Sequence, residues 1–227
     1  MATKTAQDVL DRVVKQLQDD TNVRWTEAEL LDYINDGQRD VVRLRPDASV
    51  SNIPIQLTVN ETLQSIPATG ERFIKLTRNM GADGTTPGNA ISVVEMDVLD
   101  QQNRGWHGDA GVTVVKHFCF LDEDPTKFYN FPRSHASTQV WVQALFSIAP
   151  TDVANAAAVI GVSDLYMGSL IDYCLFRAFN KDAEYAANQT KSDKHLSNFA
   201  EFLGMKRAMD TSINPNVTAP PRVRRAQ

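Results

Sequence analysis

Few side chains in this sequence stand where a catalyst or a metal site would need them. His117 and Cys119 fall on the same side of a predicted strand and could each ligate zinc. No second pair has the spacing of a tetrahedral site, since His107, His135 and His195 are scattered, so core packing is the better reading. Asp83-Gly84-Thr85, in a glycine-rich loop, lacks the regular oxygen ligands of a calcium loop and reads as a mobile hairpin tip. Asp122-Glu123-Asp124 precede Pro125, yet neighbours in a turn do not give the fixed carboxylate separation that glycoside hydrolysis requires. No G-x-S-x-G, P-loop or H-E-x-x-H occurs. These residues predict no catalysis, no metal and no cofactor.

Charge is more informative. Asp32, Asp36 and Asp40 recur every fourth residue, an acidic stripe along one helix face, with Arg39, Arg43 and Arg45 close behind. Like charges at that spacing cost a few tenths of a kcal/mol per pair, and the arginines three residues on partly offset it. The stripe reads either as a solvated face or as a surface that meets arginines of another chain. The net charge of −5 also hides an asymmetry. Residues 206–227 hold Lys206, Arg207, Arg222, Arg224 and Arg225 against Asp210, a net +4, which leaves −9 on the rest. A duplex-DNA binder should be broadly positive over its binding surface. An acidic body with a basic terminal peptide reads as a body that repels DNA and carries a docking segment, or else an unstructured end.

The elements that position these groups follow from periodicity. Val9, Leu10, Val13, Val14 and Leu17 recur at helical spacing and predict a helix over 5–18. A second helix over 27–43 starts with a capping box, Thr26 and Glu29, and a hydrophobic staple, Trp25 and Leu30; Pro46 ends it. The short polar link between them predicts an antiparallel hairpin. From Ile53 the period becomes two, and strands are expected over 53–59, 62–66 (pairing back on the first), 72–78, 90–99, 112–121, 127–131 and 138–147. The helical period returns with a helix from Ser163 to Phe179 and another over 183–203 that stops at Gly204. Beyond it, the prolines at 215, 220 and 221 predict an extended segment. The expected fold is α+β, a helical bundle from N- and C-terminal helix hairpins with a central antiparallel β insert. Its parts are residues 1–50 and 151–204 (the hairpins), 51–150 (the β domain) and 205–227 (the extended basic tail). Cys119 and Cys174 sit in apolar sequence and are expected as buried free thiols. The polar start and the lack of a long apolar run predict neither a signal peptide nor a membrane helix.

Several segments resemble a known family. The run Arg24-Trp-Thr-x-Ala-Glu-Leu, continuing through Ile34-Asn35, Gln38-Arg39 and Arg45-Pro-Asp-Ala48, resembles the opening of the head-to-tail adaptor (connector) proteins of tailed bacteriophages. So do Ile66-Pro-x-x-Gly70 leading into Phe73-Ile-x-Leu-x-Arg78-Asn79, the segment Asp124-Pro-x-x-Phe128-Tyr-x-Phe-Pro132, and Asp172-Tyr-x-Leu-x-Arg177-Ala-Phe-x-Lys181-Asp182. The architecture is similar to tail tubular protein A of short-tailed phages. The resemblance implies a structural virion protein at the neck between head and tail, assembled in the host cytoplasm. It implies a homo-oligomeric, dodecameric ring that joins portal protein to a tail tube or nozzle protein and lets DNA pass without specific binding. Membranes have no part in it. On this reading Lys206, Arg207, Arg222, Val223, Arg224 and Arg225 bind the portal. Asp32, Asp36 and Asp40 with Arg39, Arg43 and Arg45 make subunit contacts, and Asp83, Gly84 and Thr85 touch the tail. The alternative is a small nucleic-acid-binding module acting through the basic tail.

Overall fold

The structure is a computed structural model and describes residues 2–121, 123–182, 184 and 186–213. In chain order the elements are α1 (Ala6–Leu17), α2 (Glu27–Leu44), β1 (Val50–Gln56), β2 (Leu63–Ser65), β3 (Gly70–Asn79), β4 (Ser92–Val93), α3 (Met96–Gln102), β5 (His117–Phe120), β6 (Lys127–Phe131), β7 (Trp141–Ile148), α4 (Met167–Lys181) and α5 (Ala186–Ile213). Two compact units result, one of Met1–Arg45 with Pro150–Gln227 and one of Pro46–Ala149.

In the helical unit α4 is the shared element. Its Leu170, Ile171, Tyr173, Cys174, Leu175, Ala178 and Phe179 are buried around most of its circumference, as expected of a helix covered on several sides. α1 and α2 each pack on α4 and touch one another little, and α5 covers a further side. This corrects the expected bundle of two self-packed hairpins: α1 and α2 meet through α4 rather than through each other. α1 starts at a capping box, in which Thr5 Oγ1 accepts from the Asp8 amide at 3.4 Å and the Thr5 amide donates to Asp8 Oδ2 at 3.0 Å. Ser163 makes no side-chain cap; a turn of 3-10 helix over Asp164–Tyr166 leads into α4 instead. Asp164 accepts from the Thr3 amide at 2.8 Å, Thr3 Oγ1 at 2.6 Å and the Lys4 amide at 3.0 Å, and these bonds hold its carboxyl down at about 2.

The β unit also differs from the single antiparallel insert expected. It holds two sheets, ordered β1-β7-β3 and β2-β6-β5-β4, and β4 pairs with β5 in parallel. β1 and β2 lie in different sheets instead of forming a hairpin. The buried Gln64 explains the break: its side chain accepts from the Thr58 amide at 2.7 Å and donates to the Thr58 and Glu61 carbonyls, satisfying the connecting turn without a ladder. Of the strand expected over 90–99 only Ser92–Val93 forms, and α3 follows. The two sheets share one core, in which Phe73 stacks on Phe128 at 4.3 Å and meets the edge of Phe118 at 5.5 Å. The other face of the four-stranded sheet is covered by Leu99 and Trp106 over Cys119.

The extended tail is the third correction. α5 runs through Gly204 to Ile213. Gly204 is exposed with open space around it, and its helix penalty of about 1 kcal/mol is met by favourable residues on both sides and by a Lys206–Asp210 bond at 2.9 Å. Residues 214–227 lie outside the described residues. No helix among the described residues is long and apolar enough to cross a membrane.

α2 and α4 approach closely at Gly37. A Cβ on Gly37 would lie 3.0 Å from Tyr173 Cδ1 and 3.3 Å from Leu170 Cδ2. Gly37→Val is expected to destabilise the helical unit by about 1–3 kcal/mol, and Gly37→Ala by less, because alanine regains helix propensity. Urea unfolding followed by far-UV circular dichroism measures both; a valine variant as stable as the parent would show that the approach is looser than this.

Candidate assembly site

Two of the segments that carry the resemblance, 24–48 and 172–182, meet along the α2–α4 contact. Trp25 is buried and its Nε1 donates to the Ala178 carbonyl at 3.2 Å, so the residue expected as a staple also ties the start of α2 to α4. Arg24 pairs with Asp182. Thr26 Oγ1 accepts from the Glu29 amide at 3.3 Å, one half of the expected capping box. The Glu29 carboxylate turns elsewhere, accepting from Tyr33 Oη at 2.6 Å and Lys181 Nζ at 2.7 Å. A charged partner on α4 outcompetes the Thr26 amide for it. Arg177 lies over the Tyr33 ring at 5.4 Å. The Lys181 bond, then the Tyr33 bond, holds the Glu29 carboxyl below its usual value; burial, then Glu29, pushes the Tyr33 hydroxyl up.

The same helix presents two polar residues to the inside. Asn35 and Gln38 are buried. Asn35 Oδ1 accepts from the Val153 amide at 2.8 Å and its Nδ2 donates to the Val153 carbonyl at 3.2 Å. Gln38 Oε1 accepts from the Gly161 amide, and its Nε2 donates to the Thr151 carbonyl at 3.5 Å. The pair acts as a template for irregular backbone that has no ladder of its own. Composition and charge did not expose these residues. The signal lay in the period: Gln38 shares a face with Ile34 and Val41 at i, i+4 and i+7, where a polar residue needs a buried partner.

The acidic stripe is divided. Asp32 is exposed. Asp36 stands 3.2 Å from Arg39 and 3.8 Å from Arg177, and Arg39 reaches Asp152 at 2.5 Å. Asp40 accepts from Tyr173, whose hydroxyl is pushed up to about 12 by burial and then by that carboxylate. Arg43 is exposed, whereas Arg45 is buried with Nη2 2.7 Å from Asp210 of α5. Most of the expected intersubunit set is therefore engaged within its own chain.

Against this geometry stands the family comparison, which matches the SU10 adaptor protein family over residues 4–224. The chain belongs to that family. This agrees with the head-to-tail phage adaptor expected from the sequence, a structural protein of the phage. No curated protein matches the chain.

In this adaptor the remaining expected residues fall as follows. Lys206 shares Asp210 with Arg45 and lies over the Tyr166 ring at 5.5 Å, while Arg207 is exposed. Arg222, Val223, Arg224 and Arg225 lie outside the described residues. The loop of Asp83, Gly84 and Thr85 is pinned: Asp83 accepts from the Thr85 and Thr86 amides at 3.0 and 3.2 Å and from Thr85 Oγ1, which holds its carboxyl at about 2. Gly84, at φ +75, is buried beneath the Trp141 ring, so Asp83 and Thr85 are the exposed groups of the loop. His117 Nδ1 meets Ser92 Oγ at 2.8 Å, and burial raises the Cys119 thiol to about 11. Both cysteines are buried and free.

Two outcomes follow from the ion pairs. Glu29 has a depressed pKa, so its stabilisation is present above its unfolded value near 4.5 and is lost as pH falls through its folded value. Glu29→Gln should cost about 1–2 kcal/mol at neutral pH and flatten the acid limb of thermal midpoint against pH; an unchanged limb would remove Glu29 from the contact. Asp210 is held low by Lys206, then Arg45. Asp210→Asn should speed amide exchange over 205–213 while leaving α4 protected, and equal exchange in both proteins would show that the pair does not anchor the end of α5.

Proposed function

We propose that the adaptor forms a homo-oligomeric ring at the virion neck, bound to the portal on one side and to a tail component on the other. The observation that carries this reading is the family match across residues 4–224. The family implies portal and tail partners and a neck location. The ring, its dodecameric order and the DNA channel are this reading's own extension. An acidic body along such a channel would let DNA slide by repulsion rather than grip it.

Within that ring the basic segment 205–227 is the portal-docking element. Arg207 stands on the last turns of α5, and Arg222, Arg224 and Arg225 follow it in sequence as bidentate partners for carboxylates. Pro220 and Pro221 reduce the entropy lost when an extended segment docks. Asp32 and Arg43, exposed on α2, are the stripe residues best placed to meet a neighbouring copy. Asp83 and Thr85 are those offered to the tail.

Native mass spectrometry of the chain mixed with its cognate portal tests the reading. A complex with one adaptor per portal subunit is expected. Deleting residues 214–227 should leave the circular dichroism unchanged and weaken portal affinity by about tenfold or more, roughly 1.4 kcal/mol. Unchanged affinity would remove the docking role. No association, with salt-sensitive DNA binding that vanishes on the same deletion, would favour a nucleic-acid-binding module instead.

A further inference from the structure

Because α1 and α2 both pack on α4 and touch each other little, a cleft of about 250 Å³ stays open between them. Its floor is apolar, since Leu10 and Leu30 are buried and Val14 is half-buried. Its walls are acidic: Asp11, Asp20 and Glu27 stand against Lys15, a net −2, and all four are exposed. Asp11 gives one oxygen to Gln7 Nε2 at 2.7 Å. The carboxylates of Asp20 and Glu27 have no hydrogen-bond or ion-pair partner among the described residues. Asn22, in the turn that lines the same cleft, holds a buried Oδ1 that accepts no hydrogen bond from them. The volume falls below the ~300–1,000 Å³ of small-molecule sites and suits one or two long side chains.

The chain itself holds a segment of matching chemistry. Residues 214–227 carry Arg222, Arg224 and Arg225, with no acidic side chain and no lysine, and Val223 stands between the arginines. The cleft and α5, which leads into that segment, belong to the same helical unit. α5 finishes at the end of the unit where α1 begins. Lys206 lies over the Tyr166 ring at 5.5 Å, and Asp164, two residues before Tyr166, binds the Thr3 amide. Arg222 is nine positions beyond Ile213, a reach of up to ~30 Å. Passing from α5 across α4 to the far side takes about two interhelical spacings, ~20 Å.

We propose that the Arg222–Arg225 cluster seats in the α1–α2 cleft of its own chain, with guanidinium groups on Asp11, Asp20 and Glu27 and their apolar stems over Leu10 and Val14. Exposed ion pairs are weak one by one. The tether supplies an effective concentration on the order of mM, so weak pairs suffice to hold the segment. A portal surface with more carboxylates displaces it. The contact is thus a latch that keeps the docking arginines on the adaptor's own body until a stronger acidic partner arrives. The seat stands on the cleft's own charge and reach, and its consequence for assembly rests on the portal-docking reading of the segment.

A nitroxide on Ala226→Cys tests the contact in the isolated full chain, since Cys119 and Cys174 are buried. At low salt it should broaden the amide signals of residues 7–15 and 20–27, and raised salt should restore them. Isotope-labelled chain without the nitroxide, mixed with unlabelled chain that carries it, should show no broadening. Neutralising the cleft with D11N/D20N/E27Q should remove the broadening and raise portal affinity by about three- to tenfold, because a closed latch taxes binding. Deleting residues 214–227 moves affinity the other way. Thermal midpoints close to the parent's verify folding. Sharp signals in the parent, broadening that survives neutralisation, or broadening in the mixture would each overturn the intrachain seat and leave the portal-docking role standing. Broadening that neutralisation removes with no gain in affinity would overturn the latch. A portal that binds none of these proteins would overturn the docking reading, while the broadening would still support the seat.

Discussion

The close approach of α2 to α4 is the constraint on which the helical unit depends. Gly37 lets the Tyr173 ring lie against the α2 backbone, and that proximity brings Glu29 to Lys181, Tyr33 to Arg177 and Trp25 to the Ala178 carbonyl. It also sets Asn35 and Gln38 against the segment that leads into α4. That segment in turn fixes the N-terminus: the Ala6 and Gln7 amides donate to the Ala158 and Ala156 carbonyls at 2.9 and 2.7 Å, and the Ile160 amide donates to Lys4 at 3.0 Å. Moving α2 away from α4 would take Asn35 and Gln38 from the irregular backbone they bind and leave several buried donors and acceptors unpaired, each at about 1–3 kcal/mol. A single glycine contact thus supports far more structure than its own van der Waals energy.

This arrangement changes what the shared sequence segments mean for function. Arg24, Glu29, Asn35, Gln38, Arg45, Arg177, Lys181 and Asp182 all belong to segments that resemble phage adaptors, and their bonds lie within the chain. They specify a rigid helical platform. Rigidity is useful in a structural adaptor, since groups that are already ordered lose less entropy when partners dock. On the helical unit Asp32, Arg43 and Arg207 remain exposed.

Much of this was legible in the sequence where a local rule governs. Thr26 and Pro46 delimit the second helix, and the alternation after Ile53 announces strands. The failures mark where distant residues decide. Glu29 forms half of its expected capping box because Lys181, 152 positions on, binds the carboxylate more strongly than a backbone amide does. β1 and β2 separate because one buried side chain, Gln64, satisfies the turn between them. Gly204 fails to stop α5 because Lys206 and Asp210 stabilise the following turns, with Arg45 closing on Asp210 from α2. At the candidate site, exposure divides a stripe that charge spacing alone treats as uniform, sparing Asp32 and drawing Asp36 and Asp40 inward. The inward-facing Gln38 was visible in the helical period, but its partners lie in a segment without periodicity, which no local pattern identifies.

Through its inward face, at Asn35 and Gln38, the signature helix holds its own chain together rather than touching a partner. Gln38→Leu tests it most directly, since leucine nearly keeps the volume but leaves the Gly161 amide and the Thr151 carbonyl without their partner. Urea unfolding and portal affinity would be measured on the same preparation. A loss of about 2–4 kcal/mol in stability is expected, with affinity unchanged under conditions where the variant is folded. Parental stability with weakened portal binding would contradict it and make Gln38 a contact residue.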